Sequence, residues 1–289
     1  MITIFLIFAP MRGLIRRAIT ASIFVVIMLV GLFTGPYTFG VLFLLIAAMC
    51  LYEFFTLTLE RGGRRRYQLR KMMGIVLGLL PSVLVLIIKL TEVPPSKELV
   101  QLASLLFSPL IFTIFIYELY AASKQPFSNI AFLILGLFYI GLPFALVNVI
   151  AFDGDQFLHR LIFGLLLLTW VNDTGAYLVG SKMGKTPLFP RVSPNKTWEG
   201  TIGGMLTTLG FGLLLGFLFE EIGLLSWLIL AVIVALFGNL GDLVESMLKR
   251  SVGVKDSGTL LPGHGGVLDR FDAFIFVLPF ASAYLLYLR

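Results

Sequence analysis

An all-α, polytopic integral membrane protein is the fold class this chain predicts, and three observations predict it. Only 13% of its 289 residues are charged and 58% are hydrophobic, where a soluble domain carries about 25% charged residues. The mean hydropathy is +0.98. Apolar runs near the roughly 20 residues that cross a bilayer recur from end to end, with no stretch of soluble-domain size between them.

About nine spans follow from those runs: 18–34, 38–58, 72–90, 99–119, 129–151, 160–181, 200–219, 223–248 and 271–288. Residues 1–150 then hold five spans, and residues 151–289 hold the rest together with the motifs. Residues 2–9 are apolar but too short to span, and no signal-type cleavage site follows the first full run. Cys50 is the single cysteine and lies inside an apolar run, so no internal disulfide forms.

Orientation comes from the basic residues. With the N-terminus in the cytoplasm, 18 of the 22 Lys and Arg residues fall in inside loops, leaving Lys89, Lys97, Arg160 and Arg289 outside. That bias accounts for the net charge of +6 without invoking nucleic acid as a partner. RGGRRR (61–66) reads as an orientation and anionic-lipid patch. Loops 182–199 and 249–270 land on the same cytoplasmic face.

An ionisable residue inside a span costs about 2.5–3.5 kcal/mol, so it faces the bundle interior. The sixth span places Thr169, Asp173 and Tyr177 on one face, with Asn172 beside them. The eighth carries a stripe of Asn239, Asp242, Glu245, Ser246 and Lys249 against an apolar opposite face. Glu245 with Lys249 could be only a helix-holding ion pair. Asp242 has no cation at i+3 or i+4, and an unpaired buried carboxylate calls for a metal or a distant partner. Gly203, Gly204, Gly238 and Gly241 are explained by close helix packing, Trp170 and Trp227 by packing or an interfacial position, and Glu53 has no role.

GSKMGKT (180–186) imitates a phosphate loop but has one residue too few between its glycines and follows a membrane helix, not a strand. In RVSPNKTWEG (191–200), Thr197 can cap the next helix, so Lys196 is either beside a helix N-terminus that receives phosphate well or a solvated loop residue. In LLPGHGGVLDRFD (260–272), Gly263, Gly265 and Gly266 let backbone N–H groups approach an anion. Asp269 and Asp272 stand three apart, and Arg270 and Lys249 offer cations. Carboxylates for Mg²⁺ ringed by cations for phosphate describe a nucleoside triphosphate site. A zinc site is excluded, since Cys50 is alone and the only histidines are His159 and His264. His264 is either a structural hydrogen-bonding residue or an acid–base group.

The run Ser246, Lys249-Arg250, Lys255-Asp256, His264-Gly265-Gly266, Asp269-Arg270 and Asp272 resembles the signature of the phosphatidate cytidylyltransferases. NDTGAY (172–177) and SPNKTWEG (193–200) are similar to further motifs of that family. The resemblance is strong over about 160–289, while residues 1–150 share only membrane character. It implies the Mg²⁺-dependent reaction of CTP with phosphatidic acid to CDP-diacylglycerol and pyrophosphate at the cytoplasmic membrane surface. The residues expected to carry it are Asp242, Asp269, Lys249 and Arg270. Asp242 and Asp269 are the expected metal ligands, with Asp173 as a third. Substrate contacts are expected from Asn172, Asn195, Lys196, Arg250, His264, Gly265, Gly266 and Asp272. A second cation and a homodimer stand among the open expectations. The rival readings are a CTP-dependent kinase of long-chain lipid alcohols, which would release CDP, and a cation-coupled transporter using Asp173 and Asp242.

Overall fold

The structure is a computed structural model that describes residues 19–61, 63–91, 97–154, 156–258, 260 and 265–289, with 97–108 as backbone only. Residues 2–9, the start of the first expected span, Gly263 and His264 lie outside the described residues. Helices follow in the order of the expected spans: α1 (Ile19–Phe33), α2 (Pro36–Thr58), α3 (Arg64–Leu90), α4 (Lys97–Ala121) and α5 (Pro126–Ile150). After them come α6 (His159–Met183), α7 (Trp198–Leu218), α8 (Leu224–Ser251) and α9 (Leu268–Leu288). Among the described residues seven are long and apolar enough to cross a membrane. The other two expected spans coincide with shorter apolar helices, Ile19–Phe33 and the Pro109–Ala121 part of α4.

Local chemistry sets several boundaries. Pro36 and Pro126 open α2 and α5, where the missing N–H is no loss. Pro81, Pro109 and Pro279 lie inside helices, tolerated because neighbouring helices re-satisfy the freed backbone groups. Helices α5 and α8 each contain a π-helical turn, Leu137–Gly141 and Val234–Gly238. The second stands directly before the polar stripe of α8, a common position for such turns at functional sites.

Two features depart from an all-helical reading. A hairpin, β1 (Phe152–Asp153) with β2 (Gln156–Phe157), joins α5 to α6, and β3 (Pro187–Phe189) pairs antiparallel with β4 (Ser193–Thr197). Their strands are two to five residues long, too short to show the period-2 signal that betrays a strand in sequence.

The core is a continuous aromatic and aliphatic mass that includes Phe39, Phe43, Phe54, Phe144, Phe271 and Phe274. Helix α9 runs through it, packed on α5 and α8, and α6 and α7 lie against each other. A Cβ at Gly203, Gly204 or Gly241 would strike the facing helix, as close packing requires, whereas Gly238 has ordinary room.

One end of the bundle gathers the polar connections. Arg70 of α3 pairs with the Glu118 carboxylate of α4, which also accepts from Ser123 Oγ at 2.6 Å and Asn129 Nδ2 at 3.4 Å. Glu60 accepts from the N–H groups of Gln125 and Lys124, and these donors hold its carboxyl below the usual range. Arg64, Arg65 and Arg66 are exposed at the start of α3, while Arg70 and Lys71 are buried. The arginines of the expected 61–66 patch are thus exposed, while the two basic residues beyond it turn into the bundle. At the opposite end Arg289 donates to the carbonyls of Phe152 (2.7 Å) and Ile150 (2.8 Å).

Breaking the Arg70–Glu118 pair should be costly. Glu118→Ala strands a buried guanidinium and is expected to destabilise the bundle by about 3–5 kcal/mol, whereas the double change Arg70→Met with Glu118→Leu recovers most of that. Thermal unfolding of purified protein in detergent checks both.

Candidate active site

The polar stripe of α8, the β3–β4 hairpin, the described residues that lead from α8 to α9 and the first turns of α9 converge at the end that holds Arg70 and Glu118. At the rim, the Asp242 carboxylate meets Lys196 Nζ at 2.5 Å and accepts from Ser246 Oγ at 3.2 Å. Successive strand residues face opposite ways, so β4 turns Lys196 toward Asp242 and leaves Asn195 exposed. Thr197 caps α7, accepting from Gly200 N at 3.2 Å. Asp173 on α6 and Asp272 on α9 are electrostatic neighbours of Asp242, and Lys196 and Arg270 are neighbours of Asp173.

Deeper in, Lys249 bridges two carboxylates, pairing with Glu245 one helical turn back and donating to Asp269 Oδ1 at 2.8 Å. Asp269 also accepts from the N–H of Ser257 at 3.1 Å and of Gly266 at 2.8 Å. Side-chain exposure falls from 33% at Asp242 through 9% at Asp269 to 0% at Glu245. Asp242 and Lys196 thus stand at the rim, and Glu245 lies behind Lys249. The ion pair weighed for Glu245 and Lys249 exists, and it reaches on to Asp269.

Other expected residues are placed less directly. Arg250 is exposed and donates to the carbonyl of Val254 at 3.2 Å. Asn172 is fully buried, its Oδ1 accepting from Thr208 (3.4 Å) and Asn239 (3.5 Å), so it clasps α6, α7 and α8. Asp272 is nearly buried and accepts from the N–H of Ala273 at 2.7 Å. Gly265 has φ +83°, a left-handed conformation that glycine adopts freely. The anion met by the Gly266 N–H is the carboxylate of Asp269 itself. Lys185 and Thr186 of the false phosphate loop likewise turn their N–H groups to Glu199, at 3.1 and 3.2 Å.

Glu53, to which the sequence assigns no role, reaches the same end of the bundle. It is 2% exposed, and its Oε2 accepts from Ser257 Oγ at 3.0 Å and Leu268 N at 2.9 Å. A carboxylate in an apolar span is itself a signal of function, but its partners lie 204 and 215 residues along the chain.

The model of the cytidylyltransferase family matches residues 15–288. The chain belongs to the cytidylyltransferase family. The match takes in α1–α5 as well as the motif-bearing half, so the membrane helices that seat Glu53 belong to the family frame as much as the signature loop does. The phosphatidate cytidylyltransferase of Staphylococcus aureus (strain COL) is 42% identical over 212 residues, covering 72% of this chain and 79% of that protein. That of Staphylococcus haemolyticus is 43% identical over 189 residues, or 65% and 70%. That of Staphylococcus saprophyticus is 42% identical over 188 residues, or 64% and 70%.

Proposed function

We infer that the chain transfers the cytidylyl group of CTP to phosphatidate, giving CDP-diacylglycerol and pyrophosphate. The observation that carries this reading is a pair of carboxylates, Asp242 and Asp269, each seated on one lysine where the motif-bearing segments meet. The curated names of the Staphylococcus relatives agree with it.

The chemistry asks little of a general base. The phosphate monoester of phosphatidate has a second pKa near 6, so at pH 7 it is largely a dianion. One of its oxygens bonds to the α-phosphorus of CTP, the bond from that phosphorus to the α–β bridging oxygen breaks, and pyrophosphate leaves with the electron pair. The obstacle is repulsion between two polyanions, and the remedy is preorganised positive charge. Lys196, Lys249 and Arg270 supply it in this reading, with Arg250 assigned to the lipid headgroup. Lys196 and Lys249 have long, rotatable side chains that can turn from their carboxylates to triphosphate oxygens.

Among the described residues no three acidic, His or Cys side chains stand around one point as a metal cage. Mg²⁺ needs none, since it binds through one or two carboxylates together with substrate phosphates. The hard oxygen donors here fit it: Asp242 and Asp269 would hold the ion, with Asp173 and Asp272 nearby, and it would supply charge neutralisation at the transferring phosphate. The positive-inside bias supports a cytoplasmic face for this end.

Incubating purified protein with phosphatidate, Mg²⁺ and each of the four nucleoside triphosphates tests the reading. Pyrophosphate and a cytidine-bearing lipid should form together from CTP. Release of CDP with a phosphorylated lipid would instead establish the lipid-kinase alternative.

A further inference from the structure

We propose that Glu53 of α2 is a positioning residue for the nucleotide loop, tying Ser257 to Leu268 so that Asp269 and Lys249 are presented together. The proposal rests on the reading that this loop contacts CTP. Ser257 stands near the start of the loop and Leu268 just past its end, and one carboxylate oxygen accepts from both, at 3.0 and 2.9 Å. The closure therefore depends on a helix from the far end of the sequence. From Ser257 the connection continues, because its N–H donates to both oxygens of Asp269, and Asp269 accepts from Lys249.

The loop is shaped around this side chain. A Cβ at Gly258 would collide with Glu53 Oε1, and one at Gly266 with Glu53 Oε2 and Ser257 Oγ. Two glycines thus let the backbone close on a carboxylate that is 2% exposed. Leu268 is the first residue of α9, which has no side-chain cap of its own. Glu53 meets one of the N–H groups that a helix start leaves unsatisfied, where a negative charge is also favoured. An ionisable residue in an apolar span is costly. Mere filling of the core would be served better by leucine.

The test uses the full-length protein in detergent with Glu53→Ala, Glu53→Gln, Ser257→Ala and, as a reference for the loop, Asp269→Asn. Loss of two hydrogen bonds to a charged acceptor is expected to raise KM for CTP about tenfold or more in Glu53→Ala, with KM for phosphatidate within about twofold. Glu53→Gln keeps an oxygen for the same donors and should return KM for CTP to within about threefold of the parent. Ser257→Ala should move it in the same direction by less.

Four results would overturn the proposal. Glu53→Ala could lower only the folded fraction or kcat with KM for CTP unchanged, or Glu53→Gln could be as impaired as Glu53→Ala. If Glu53→Ala does not fold, an unchanged KM for CTP in Ser257→Ala serves as the third. Unaltered CTP kinetics in Asp269→Asn would instead remove the loop from the nucleotide site, and the proposal with it. Altered kinetics there beside a normal Glu53→Ala would sink the Glu53 assignment alone.

Discussion

Asp242→Asn is expected to abolish formation of the cytidine-bearing lipid, a loss on the order of 10³-fold or about 4 kcal/mol in the barrier, while the helix bundle stays folded. The reason lies in where the carboxylate stands. A third of its side chain is exposed at the rim of the site, so neutralising it leaves no uncompensated charge in the core. The residue it releases is Lys196, itself 24% exposed and able to solvate its ammonium. What is lost is the negative charge that would hold a divalent ion beside the triphosphate, together with the fixed position of Lys196. Product formation measured across a range of Mg²⁺ concentrations, with size-exclusion profile and thermal midpoint as controls, checks the expectation. Wild-type turnover in this variant would remove Asp242 from the site.

Lys249→Met is expected to injure both stability and activity, and the two effects are separable. Lys249 stands between Glu245 and Asp269, and the Glu245 carboxylate is fully buried. Removing the lysine leaves a buried charge without its partner, at a cost of about 3–5 kcal/mol. Adding Glu245→Leu removes that stranded charge and should recover most of the stability. Activity should not return with it. The double variant still lacks the cation beside Asp269, and loss of one preorganised electrostatic contact to a transferring phosphoryl group costs about 10²–10³ in kcat. Thermal unfolding and kcat measured on the single and double variants decide the matter. If turnover recovers alongside stability, Lys249 has a structural role only.

The two variants show why rim and interior residues of one motif respond differently. Along the 246–272 run the sequence places Lys249 and Asp269 twenty residues apart without saying which carboxylate each cation meets. The helical period puts Glu245 and Lys249 on one stripe, and the ion pair between them follows from that period alone. The Lys196–Asp242 contact does not, because it crosses from a β-hairpin to a helix 46 positions on.

Composition and the 20-residue apolar period determined the helical membrane class by themselves, since a bilayer leaves a chain few ways to satisfy its backbone. Repeating local patterns also marked the polar stripe of α8 and the cap at Thr197, both settled within a few residues of sequence. Tertiary structure alone decided that Glu53 links Ser257 to Leu268, that the Gly266 N–H meets Asp269, and that Asn172 clasps three helices. Those outcomes rest on donors and acceptors brought together from distant parts of the chain. Hydrogen bonding is short-ranged and depends on direction, so spacing along the sequence carries no trace of it.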